Sequence, residues 1–79
     1  MKYYIIVFKN THTAMSGEKK LKEIGMNFII MPTPTTITQS CGICIRLEYE
    51  ESVNRIINEE VIEFKAIYKR DNGCYELIK

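Results

Sequence analysis

Tyr3-Tyr4-Ile5-Ile6-Val7-Phe8 is an apolar run with no polar break. Successive side chains of a strand point to opposite faces, so such a run fits a strand covered on both sides. It predicts a central strand over Lys2 to Phe8. The cover has to come from the rest of a chain of 79 residues. A domain this short buries about 60% of the surface its unfolded chain exposes. That leaves one domain, 1–79, no room for a separate cofactor domain, and a thin stability margin on which a homodimer contact would help.

Polar Lys9-Asn10-Thr11 ends the run. Thr11 or Thr13 is the expected N-cap of a helix over Thr13 to Ile24, since a hydroxyl satisfies an orphan N–H of the first turn. Ala14, Gly17, Leu21 and Ile24 make one face at spacings of three and four, and Gly25 supplies the left-handed stop. A glycine inside a helix costs about 1 kcal/mol against alanine, so Gly17 marks close approach of the helix to the sheet. Asn27 to Met31 is the second strand, stopped by Pro32-Thr33-Pro34. Residues 32 to 42 are mostly polar, a long connection of the kind that carries function; Thr33 and Pro34 could start one short helical turn within it.

Ile43, Ile45 and Leu47 alternate with Cys44, Arg46 and Glu48, which predicts a strand with one buried face. Val53, Ile56 and Ile57 set a second helix over Glu50 to Glu60, with acids in its first turn. Phe64 to Lys69 is a fourth strand. Asp71-Asn72-Gly73 is a strong turn signal, with Cys74 to Ile78 as a possible short return strand. Strand, helix, strand, strand, helix, strand is the order of the split βαβ or ferredoxin-like plait: α+β, a four-stranded antiparallel sheet with two helices on one face. Right-handed crossovers put strands one and three side by side at the centre. Strand three is expected to run parallel to strand one. On that reading His12 and Cys41 lie at opposite ends of the sheet, roughly 20 Å apart.

Composition narrows the function. Net charge is +1, with about +4 over residues 1–47 and −3 over 48–79. Near-neutral charge, and the lack of a glycine-aromatic signature on strand three, argue against nucleic acid although Tyr3 or Tyr4 could face the open side of the sheet. No apolar run approaches the roughly 20 residues that span a bilayer. The start of the chain lacks a small-residue cleavage site, so the expected home is the cytoplasm, with no membrane partner. The glycines are scattered, without a phosphate-binding loop, and no cofactor is expected.

Three cysteines in such a chain are not a disulfide framework. Cys41-Gly42-Ile43-Cys44 matches the C-x-x-C pattern, and three readings compete. A redox pair needs Cα atoms within about 7 Å, whereas residues three apart on an extended chain lie about 10 Å apart and face opposite ways. Structural zinc wants four ligands, and Cys74 and His12 are distant. The third reading is one reactive thiol at Cys41, in a polar Ser40-Cys41-Gly42 segment where Gly42 removes bulk and permits unusual backbone angles. Backbone N–H groups there would stabilise a thiolate or persulfide. Arg46, on the Cys44 face, would help a thiolate at that position. The alternative is inert packing for both residues.

Several of these segments carry a family likeness. They are Tyr4-Ile5-Ile6-Val7-Phe8, Thr11-His12-Thr13-Ala14 and Leu21-Lys22-Glu23-Ile24-Gly25, then Pro32-Thr33-Pro34, Ser40-Cys41-Gly42 and Ile43-Cys44-Ile45-Arg46-Leu47. In their order and spacing they resemble the small bacterial and archaeal selenium/sulfur carrier-like proteins. The resemblance implies that Cys41 holds sulfur or selenium as a persulfide or selenosulfide and relays it by thiol exchange with a donor or acceptor protein. It leaves Cys44 as a possible resolving thiol and Ser40, Gly42 and Arg46 as its binding surroundings, and it expects a carrier more than a true enzyme. Better-known small sulfur carriers place the cysteine in a Cys-Pro-x-Pro segment, which this chain lacks. The competing class is a small interaction or regulatory plait with no cysteine chemistry.

Overall fold

The computed structural model describes residues 2–34, 37 and 42–79. The elements are β1 (Tyr3–Val7), α1 (Thr11–Glu23), β2 (Ile29–Pro32), β3 (Ile43–Leu47), α2 (Glu50–Glu59), β4 (Ala66–Asp71) and β5 (Cys74–Leu77). They build an antiparallel sheet in the order β2-β3-β1-β4-β5, consistent with a ferredoxin-like plait extended by a fifth strand. β1 lies at the centre, and Tyr4, Ile5, Ile6, Val7 and Phe8 are all buried, as the unbroken apolar run requires.

The two faces of the sheet differ. Tyr4, Ile6, Ile45, Leu47 and Ile67 join Ala14 and Leu21 of α1 and Val53 and Ile56 of α2 in the main core, so both helices cover one face. Ile5, Val7 and Cys44 form a smaller cluster on the other face, flanked by Tyr3, Met31, Ile37, Tyr68 and Tyr75. At roughly 25 cal/mol per Å² of apolar area buried, the helix face contributes most of the stabilisation.

Some expectations are corrected. Strands β1 and β3 are antiparallel, with Val7 opposite Cys44 and Tyr4 opposite Leu47. In this topology each helix connects two strands that have one other strand between them, and that intervening strand runs the other way. The end of β1 and the start of β3 therefore share one end of the sheet, and α2 begins at the opposite end from α1. α1 is capped by Asn10, not by Thr11 or Thr13, so it starts earlier and takes His12 into its first turn. β2 includes Pro32, which an edge strand tolerates because the missing N–H can face away from the ladder. β4 begins at Ala66, two residues later than expected, and Phe64 packs against the core ahead of it. Asn72 (φ 52°) and Gly73 (φ 80°) make the two-residue turn that joins β4 to β5.

Candidate functional site

The β2–β3 connection leaves and re-enters the sheet side by side. Pro32 is opposite Ile43, and the Thr33 N–H donates to the Gly42 carbonyl at 3.3 Å. Near its start, the Ile37 N–H donates to the Pro34 carbonyl at 3.0 Å. Ile37 then packs against Ile5, Val7 and Cys44, on the face away from the helices. Ser40 and Cys41 lie outside the described residues. Gly42 is exposed, its φ is outside the left-handed region, and a Cβ added there meets nothing within 4 Å. Among the described residues, neither backbone strain nor crowding demands glycine at that point.

Cys44 and Arg46 share the face away from the helices, as the alternation of β3 requires. Cys44 is 0% exposed, and its Sγ lies 3.8 Å from the Pro32 carbonyl. The Arg46 guanidinium stacks 4.0 Å from the centre of the Tyr3 ring and reaches Glu48 at 3.4 Å. Its charge is thus engaged along the sheet, while its buried Nε has no partner among the described residues. Arg70 stacks 4.5 Å over Tyr75 on the same face. Burial, helped by a hydrogen bond with Tyr3, holds the Tyr75 hydroxyl above its usual 10.0, against the lowering pull of Arg70. Periodicity left Tyr3 or Tyr4 for this face, and it is Tyr3 that lies there while Tyr4 joins the main core. Periodicity missed the stacked Arg–Tyr pairs, although the cross-strand register Tyr3–Arg70–Tyr75 produces one of them.

The remaining candidates are dispersed. Cys74 is exposed and opens β5 opposite Asp71. His12 is exposed at the other end of the sheet, beside a cleft between α1 and the segment following α2. Among the described residues no group of three His, Cys, Asp or Glu side chains could hold a metal ion, and no helix is long and apolar enough to cross a membrane.

No curated protein and no solved structure matches the chain. A family model described as "Putative Se/S carrier protein-like" matches residues 3–69. That span runs from the first residue of β1 into β4 and contains both helices and the whole β2–β3 connection; it ends before the Asn72-Gly73 turn and β5. On the strength of a match that includes the full helix-bearing core, the chain belongs to the selenium/sulfur carrier-like family.

Proposed function

We propose that this protein carries sulfur or selenium on Cys41 between partner proteins, in the reducing cytoplasm where its thiols stay free for exchange. The observation that carries the reading is the family match over residues 3–69, which includes Cys41 and Cys44 and leaves out Cys74. Burial supports Cys41 over Cys44: a fully covered thiol meets neither a donor nor an acceptor without local opening. In the transfer the Cys41 thiolate attacks the outer sulfur of a donor persulfide. A new S–S bond forms on Cys41, the donor's S–S bond breaks, and the donor leaves as a thiolate. Delivery repeats the step, with an acceptor thiolate attacking the sulfur held on Cys41. Cys44 would act as resolving thiol only where that opening also turned Cys41 to within about 7 Å of it; attack on the inner sulfur would then form a Cys41–Cys44 disulfide and expel sulfide.

The test is an intact mass after incubation with a cysteine desulfurase and cysteine. The protein gains one sulfur, Cys41→Ala gains none, and Cys44→Ala and Cys74→Ala load like the wild type. Equal loading of Cys41→Ala overturns the assignment. The second reading, an interaction module without thiol chemistry, is favoured by Ile29 and Leu77, 51% and 61% exposed on the two edge strands. It expects dimerisation through those edges. It also expects a slow Cys41 thiol with a pKa near about 8.5 in alkylation at several pH values.

A further inference from the structure

A cleft of about 330 Å³ lies between α1 and the segment that follows α2. Its volume is at the lower end of small-molecule sites, roughly 300–1,000 Å³. One wall is a stripe of α1 at spacings of four: His12, Ser16 and Lys20. The other is Val61, Ile62 and Glu63. Ile62 belongs to the main core, with Val61 packed against that core, so the cleft has an apolar base under polar rims. Gly17 keeps the base close: a Cβ there would lie 3.5 Å from Ile62 Cδ1.

Lys20 and Glu63 both line this cleft, and among the described residues they form no salt bridge with each other. A cation and an anion lining one cavity fit a ligand that carries both charges. A simple anion would be drawn by Lys20 but repelled by Glu63. A simple amine would meet the reverse. We infer that this cleft binds a small zwitterion, an α-amino acid, with its carboxylate on Lys20 and the Ser16 hydroxyl and its ammonium on Glu63. Val61 and Ile62 take an aliphatic side chain, and His12 closes the carboxylate end. The inference stands on the cleft alone and holds whether or not Cys41 carries sulfur.

The full chain, labelled with nitrogen-15, is titrated with L-alanine and, separately, with propionate, ethylamine and inorganic phosphate while amide shifts are followed. L-Alanine gives saturable shifts at Ser16, Gly17, Lys20 and Glu63, and each single-charge probe binds about tenfold more weakly. Glu63→Gln and Lys20→Gln, both at exposed positions, each weaken alanine binding about tenfold and leave the rest of the spectrum unchanged. Cys41→Ala binds alanine like the wild type, which separates this site from the carrier thiol. Absence of saturable shifts with alanine overturns the inference. So does phosphate binding that Glu63→Gln strengthens.

Discussion

Phe8 leaves no space for a side chain at position 17. A methyl group there would lie 2.9 Å from Phe8 Cε1 and 3.1 Å from Cζ, and the Phe8 ring is 0% exposed. Alanine gains about 1 kcal/mol of helix propensity over glycine. Overpacking a closed core costs about 1–3 kcal/mol, and a buried ring has no free volume into which to turn. Gly17→Ala is therefore expected to destabilise by about 1 kcal/mol, read as a lower urea midpoint with an unchanged slope. A higher midpoint would show that α1 moves aside. The position of this glycine was legible because it costs stability inside an otherwise regular helical pattern. Its partner was not, since Phe8 lies at the end of a strand and no local pattern links the two. Tyr75 gives a second residue-level prediction. Its folded pKa lies above its unfolded value, so its contribution is fully present below about pH 10 and is lost as pH rises through the folded value. Above that pH, wild-type stability should fall more steeply than that of Tyr75→Phe in parallel urea titrations. Equal slopes would mean that Tyr3 and burial do not favour the neutral hydroxyl.

At the level of elements, the start of α1 shows what the sequence leaves open. Asn10, Thr11 and Thr13 are all residues that cap helices, and spacing alone does not choose among them. The exit from β1 chooses: Asn10 stays extended at φ −157°, and its Oδ1 accepts from the Thr13 N–H at 2.8 Å and from the Thr13 hydroxyl at 2.9 Å. Asn10→Ala is expected to cost about 1 kcal/mol. Asn10→Asp should keep the cap and gain from the helix dipole. Thermal unfolding of the two variants tests this order, and equal melting temperatures would remove Asn10 from its role. The candidate site was readable to a similar extent. Alternation in β3 put Cys44 and Arg46 on one face, where they are found, but that face is not open as expected, since Cys44 is fully buried there against Ile5 and Val7. The engagement of Arg46 with Tyr3 and Glu48 depends on pairing between strands distant in the chain, which periodicity within one strand does not encode.

Across the whole molecule, the number of strands and helices was readable, and the antiparallel plait expected from their order already requires neighbouring β1 and β3 to oppose each other, so the parallel direction expected for them conflicted with that fold. Amphipathic patterns say which face of an element is buried and nothing about which way it runs. Direction follows from the crossover connections: β3 sits between β1 and β2, so it must oppose both. The consequence is that His12, the Gly42 re-entry and the start of β4 gather at one end, while the Asn72-Gly73 turn and the start of α2 lie at the other. The same arrangement shows which part of the chain is dispensable. Every buried residue of the main core lies at or before Ile67, so β5 adds edge pairing and the Tyr75 contact without filling the helix face. A chain truncated after Asp71 should keep its helical circular dichroism and unfold in one cooperative transition. Its midpoint should be lower than that of the full chain, because β4 becomes an unpaired edge and Ile67 loses its backbone bonds to Ile78 and Lys79. Because β4 stays in place opposite β1, the truncated chain should also load sulfur on Cys41 like the full one. Loss of cooperative unfolding would mean that the fifth strand is part of the folding unit. Loss of loading from a chain that still folds would mean that the β4–β5 hairpin takes part in the transfer.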